Sequence, residues 1–339
     1  MVSLSLSSPL SRIGKHRYFS LPSLLWSRLL VVFVTCLVPT TSIAIMADVS
    51  PEHSKKAPLA FRSLLLDCIS LEGLVVAVGE RGHILVSEDR GQSWQQANVP
   101  TRSTLTGVYF YNRNLGWAVG HDAIILRTVN GGRNWERLYF APEEERPLLD
   151  VWFRDTANGI AVGAYGLFLV TSDGGDTWSH RKISEDDFHL NHIVRSITGQ
   201  FYIAAEAGRI YHSSDEGETW IELPSPYKGS FFGTLPLRSN KVIVFGLRGH
   251  MYLSEDAGKT WVQIETATKE ILTNGLILSD GTIVVVGQGG TVLVSTDEAH
   301  SFTLRQQADR QGFASVVMME NGTLIAVGEF GVNRLPIGQ

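Results

Sequence analysis

The chain has 339 residues, a formal net charge of −5 at pH 7, 44% hydrophobic residues and 33 glycines. That is globular composition with few signs of disorder. Its mildly acidic balance argues against nucleic acid as a partner, because phosphate binding usually shows as a basic patch.

Residues 1–47 read as an export signal. Arg12, Lys15, Arg17 and Arg28 precede LLVVFVTCLVPTTSIAIMA, an apolar run ending in small residues. Ser42-Ile43-Ala44 is the preferred cleavage site and Ile45-Met46-Ala47 the second choice. The run is also about long enough to span a bilayer as an uncleaved anchor. Pro39 and the threonines behind it favour cleavage, and Thr35 before Cys36 makes a poor lipoprotein site. Cleavage leaves Cys68 as the single thiol, unable to form an internal disulfide and expected to pack as a small hydrophobe.

From residue 48 onward one phrase recurs. VGERGHILVSEDRGQSW is followed by VGHDAIILRTVNGGRNW, VGAYGLFLVTSDGGDTW, AEAGRIYHSSDEGETW, FGLRGHMYLSEDAGKTW and VGQGGTVLVSTDEAHSF. The closing aromatics are Trp94, Trp135, Trp178, Trp220, Trp261 and Phe302, at steps of 41, 43, 42, 41 and 41 residues. A seventh phrase, VGEFGVNRLPIG, begins and stops. Within one period, LLDVWF, IAVG, LFLVTS and WSHRKI read as four strands joined by turn chemistry, which is the unit of a propeller blade. The predicted architecture is an all-β, seven-bladed β-propeller over residues 48–339, with four-stranded antiparallel blades. Its innermost strands are expected near Leu64, Leu105, Leu148, Leu190, Phe231, Ile271 and Gly312. The last blade lacks an outer strand, so Lys55 to Phe61 (KKAPLAF) is expected to supply an N-terminal strand that closes the ring.

The repeated box is a hairpin between the third and fourth strands. Its acidic or amide residue (Asp89, Asn130, Asp173, Asp215, Asp256, Asp297) accepts backbone amides, glycine supplies positive φ, and the aromatic fills the wedge between blades. Six copies of one box cannot all be one active site, so these residues read as structural. Trp117 and Trp152, on inner strands outside the boxes, read as packing.

Function is then expected on the opposite face, where the turns between second and third strands meet the blade-to-blade connections. The partner-binding candidates there are Arg81, His121, Tyr165, Glu206, Arg209, Arg248 and Phe330, because arginine and aromatic side chains anchor protein interfaces. Two connections are acidic, with Glu143, Glu144 and Glu145 in one and Glu185, Asp186 and Asp187 in the other. Either they are solvated or they attract a basic segment or cation. No calcium-loop pattern and no metal-ligand spacing of histidines occurs, so no metal, cofactor or catalytic residue is assigned.

The blades GVYFYNRNLGWAVGHDAIILRTVNGGRNWERL and DVWFRDTANGIAVGAYGLFLVTSDGGDTW resemble the photosystem II stability/assembly factor family and, more distantly, sialidase-type propellers. The first resemblance implies a non-enzymatic scaffold, exported to the periplasm or the thylakoid lumen. Such a scaffold holds a membrane-protein subunit during assembly through an arginine-bearing face. In a non-photosynthetic host it implies an accessory role at another membrane complex such as a transporter. A monomer without nucleic acid or small-molecule substrate is expected. The alternative is a glycoside hydrolase of sialidase type. That family places a Phe/Tyr-Arg-Ile-Pro motif before its first box, and this sequence has only NRLP at Asn333 to Pro336.

Overall fold

The structure is a computed structural model that describes residues 51–335. The expected export signal and its cleavage sites lie outside the described residues.

Seven small antiparallel sheets follow one another along the chain. Their innermost strands are Leu65–Leu71, Leu105–Phe110, Leu148–Phe153, Leu190–Arg195, Phe231–Pro236, Leu272–Ile277 and Phe313–Met318. Each starts within one residue of its expected position. Each innermost strand packs on that of the next blade, and the last packs on the first, so the ring is a seven-bladed β-propeller. The second strands, such as LVVAVG, GIAVG and IVVVG, are buried at every position. A strand covered on both faces by neighbouring blades reads as a continuous apolar run rather than an alternation.

The core is divided between blades. Between blades 2 and 3, Trp117 stacks on Phe153 with ring centroids 3.4 Å apart, and Trp178 meets Phe153 edge-on at 5.9 Å. The Trp117 indole donates to the Gly174 carbonyl in the blade 3 box at 2.9 Å, so this wedge also pins the hairpin. In that box Asp173 Oδ1 accepts the Thr177 amide at 2.9 Å and Oδ2 accepts the Thr177 hydroxyl at 2.6 Å. The Thr171 hydroxyl donates to Asp173 at 2.8 Å and accepts the Gly175 amide at 3.0 Å. The boxes around Asp89, Asp215, Asp256 and Asp297 repeat this pattern. Asn130 takes the same amide, that of Asn134, at 3.0 Å.

Among the described residues the expected closing strand is not formed. Within those residues six sheets have four strands and the seventh has three, Phe313–Met318, Leu324–Gly328 and Gly331–Leu335. Within Lys55 to Phe61 the chain turns into a short 3₁₀ helix, Ala60–Arg62, and the residues before it lie against blade 1. The Ala57 amide donates to Gln96 Oε1 at 2.8 Å, Gln96 Nε2 donates to the Lys55 carbonyl at 2.9 Å, and the Ser54 amide donates to the Val99 carbonyl at 2.9 Å. Gln96 thus captures backbone groups that a strand on blade 7 would have used. Side-chain packing closes the ring instead. Leu65, Cys68, Ala77 and Leu85 of blade 1 share a cluster with Val327 of blade 7, and Arg90 reaches Glu320 at 3.4 Å. Cys68 is buried in this seam, 3.7 Å from the Ser315 hydroxyl.

Candidate functional site

Six of the seven turns between second and third strands place their second residue in the left-handed region: Arg81 (φ 56°), Asp122 (61°), Tyr165 (53°), Ala207 (54°), Arg248 (58°) and Gly289 (63°). The next residue is glycine in all but blade 2, because the following connection crosses there. A Cβ on Gly82 would lie 2.3 Å from the Thr101 carbonyl, and one on Gly249 would lie 2.2 Å from that of Thr268. Turns and connections therefore form one face, as expected. Arginine and tyrosine are costly in the left-handed region, by roughly 1 kcal/mol per residue. The side chains retained there nonetheless stand into solvent, Arg81 at 76% exposure and Tyr165 at 54%.

The structure brings only some of the candidates together. Tyr165 lies edge-on to His189 with centroids 4.8 Å apart, and Glu206 takes the His189 amide at 3.2 Å. Arg209, at the end of the same turn as Glu206, covers Phe188, pairs with Asp186 at 3.3 Å and contacts Glu222. Its charge is thus spent within the protein. Among the described residues the Arg81 guanidinium pairs only with the Glu80 carboxylate, at 3.7 Å, while His121, Arg248 and Phe330 are exposed, each on its own blade. The acidic connections are partly neutralised. Burial opposes ionisation of Glu144, but the Tyr139 hydroxyl and Arg146 hold its carboxyl below its ordinary range. Glu185 pairs with Lys182 at 2.6 Å.

Two further places were not singled out from the sequence. The first is the axis. In every blade the register slips by one residue near the start of the innermost strand. Asp67, Asp150, His192, Asn274 and Ser315 line a cavity of about 290 Å³ there. Four of them reach to the next blade. Asp67 accepts the Val108 amide and Asp150 the Ile193 amide, each at 2.9 Å. His192 Nδ1 accepts that of Thr234 and Asn274 that of Val316, each at 3.4 Å. Burial, then the nearby Asp150 charge, pushes Asp67 up to about 7; burial pushes Asp150 up to about 7 and pulls His192 down to about 4. Their acceptors already serve backbone amides, and no group of three potential metal ligands occurs among the described residues. The girdle laces blades together. The second place is a 740 Å³ pocket on the opposite face, where Ile197 and Ile277 stand exposed above Leu237 and Lys241. An isoleucine inside the Ser-Ile-Thr-Gly turn at 196–199 was its only signal in the sequence.

Comparison with known proteins decides the family. The family described as "Photosynthesis system II assembly factor YCF48" matches residues 69–143 and 140–275, more than half of the chain. The chain belongs to this family. Among curated relatives, the photosystem II assembly protein Ycf48 of Synechococcus is 37% identical over 131 residues, 38% of this chain and 39% of that protein. The chloroplastic photosystem II stability/assembly factor HCF136 of Cyanidioschyzon merolae is 32% identical over 102 residues, 28% of this chain and 23% of that protein. The matched stretches therefore cover well under half of these relatives. A solved structure described as YCF48 bound to D1 peptide superposes with a TM-score of 0.69 at 15% identity, over 86% of this chain and 97% of that one. At that identity it bears on the fold alone.

Proposed function

We propose that this chain is an exported, non-enzymatic scaffold of photosystem II assembly that holds a membrane-protein subunit of the D1 type on its turn face. The observation that carries this reading is the family match across residues 69–275. The solved relative bound to a D1 peptide supplies the kind of client. The turn face supplies the means: exposed Arg81, His121, Tyr165, Arg248 and Phe330 on rigid turns, where loops held by a scaffold concentrate binding residues. Glu206 and Arg209 shape the corner beneath Tyr165 rather than offering free charge. No helix among the described residues is long and apolar enough to cross a membrane. Neither the transporter-accessory variant nor the sialidase alternative gains support from the family.

The test is affinity purification of the tagged chain from photosynthetic membranes. D1 or a precursor complex containing it should co-purify, and Arg81→Glu with Arg248→Glu should cut the yield at least tenfold without moving the melting temperature. An unchanged yield removes the turn face from the reading. Recovery of no photosystem II subunit removes the reading itself.

A further inference from the structure

Among the described residues, blade 7 ends on its third strand. In blade 1 the fourth strand, Gln95–Gln96, pairs on the third, and the chain then crosses to blade 2 through Thr101 and Arg102. The sequence KKAPLAFRSLL at 55–65 lines up with QQANVPTRSTL at 95–105. From Phe61 onward it follows the same path. A Cβ on Gly331 would lie 1.9 Å from the Phe61 carbonyl, as one on Gly82 would lie 2.3 Å from that of Thr101. Before Pro58 the path diverges, because residues 54–57 lie on blade 1. Among the described residues, Gly331–Leu335 therefore pairs only with Leu324–Gly328, and none of them takes the position of a fourth strand.

The surroundings of this edge say what would fit it. Three large apolar side chains stand exposed at its upper end: Leu59 at 61%, Phe61 at 38% and Phe330 at 56%. Arg62 covers the Phe61 ring at 5.6 Å, and Arg334 stands exposed toward the lower end. Among the described residues neither guanidinium has a carboxylate partner; Arg334 donates only to the Arg90 carbonyl, at 3.5 Å. We propose that the outer edge of Gly331–Leu335 is a docking site for an extended peptide segment of another protein, added as the missing fourth strand of blade 7. Such a strand runs antiparallel to Gly331–Leu335. Its N-terminal end then lies beside Arg334 and its C-terminal end beside Leu59, Phe61 and Phe330. The recognised chemistry is a segment of about five residues, acidic first and apolar last, joined by main-chain hydrogen bonds over about 17 Å. A second copy of the chain fits less well, since a two-fold pairing of this edge would bring both sets of unpaired arginines together.

This edge meets the turn face only at Phe330, and its test uses a peptide probe rather than the client. The probe is a fluorescein-labelled hexapeptide with two glutamates, two alternating threonine and valine residues, and two isoleucines at its C-terminal end. Its binding to the full chain is followed by anisotropy. Saturable binding is expected, weakened at least tenfold by Arg334→Pro, which removes a charge and an outward-facing amide at an edge position where proline is tolerated. Arg334→Glu should reverse the preference toward a probe with lysines in place of the glutamates. The Arg81→Glu, Arg248→Glu protein should bind the probe normally. Equal affinity for a backbone N-methylated probe would overturn the proposal. So would absence of binding by the full chain at millimolar probe, as expected if the chain's own terminus fills the slot. A concentration-dependent dimer that Arg334→Pro abolishes, without probe binding, would equally overturn it.

Discussion

At the rim of the propeller, Asp173 accepts a backbone amide and two hydroxyls in the open; at the axis, Asp150 accepts two backbone amides while largely screened from water. The bonds are of the same kind and length, yet the carboxyls respond in opposite directions. The Thr177 hydroxyl and amide, with Thr171, hold Asp173 down at about 2, whereas burial lifts Asp150 to about 7 despite its amides. Hydrogen bonding to a carboxylate favours its charge, and loss of water opposes it. Which effect wins is decided here by radius. The rim residues tie a hairpin within one blade, while the axis residues tie one blade to the next.

The contrast is broken most directly by deleting one member of each set. Asp150→Ala leaves the Val151 and Ile193 amides without acceptors, and each buried orphan costs about 1–3 kcal/mol. Asp215→Ala frees the Thr219 amide to water at an exposed turn. At pH 5, where Asp150 is largely protonated and no buried charge is relieved, the urea midpoint should fall at least three times further for the axis variant. Equal falls would mean that radius is not what separates the two sets.

A second test sharpens the contrast through pH. Asp67 and Asp150 titrate near 7 in the folded chain and near 3.8 unfolded, so the stability they confer is full below about pH 4 and is lost as pH rises toward 7. His192 runs the other way. Depressed to about 4 from 6.5, it favours the folded state above 6.5 and loses that contribution as pH falls toward 4. One slope partly cancels the others in the same window. His192→Asn keeps an acceptor for the Thr234 amide, as Asn274 does for Val316 in blade 6. Unfolding free energies from urea titrations between pH 4.5 and 7.5 should then decline more steeply with rising pH than in the parent, by at most about 1.4 kcal/mol per pH unit. An unchanged slope would show that His192 does not titrate with the girdle.

The two radii also differ in how far the sequence discloses them. The rim was legible because its residues repeat. Asp173 and Trp178 recur at a fixed period, and the local chemistry of an amide-accepting turn needs no knowledge of neighbouring blades. The turn face followed from the same period. The axis was not legible, because Asp67, Gly107, Asp150, His192, Gly233, Asn274 and Ser315 occupy one structural position with five residue types. Only closure of the ring places each beside the next blade. Lys55 to Phe61 misled for a related reason. Its match to 95–101 is genuine and correctly positions Phe61, but Gln96 competes for the backbone of residues 54–57 through contacts visible only in three dimensions. The pairing of Arg209 with Asp186 and Glu222 was likewise not legible, because both carboxylates are distant from it in sequence.

The smallest effect is expected from neutralising a single rim carboxylate. Asn130 shows that an amide serves the box of blade 2, and the rotatable Thr260 hydroxyl can accept from an asparagine where it now donates to Asp256. Asp256→Asn should therefore leave the urea midpoint at pH 7 nearly unchanged. Its consequence belongs to acid. The Thr260 hydroxyl and amide hold Asp256 at about 2, below its unfolded value of 3.8, so its contribution is present above about pH 4 and disappears as pH falls through 2. Removing that titration should move acid unfolding, followed by tryptophan fluorescence, to slightly lower pH, and further with each additional box converted. The axis carboxylates are already protonated in that range and cannot contribute to the shift. An acid transition that does not move, at unchanged stability at pH 7, would show that the rim aspartates carry no titration into unfolding, and the charge half of the contrast would fail.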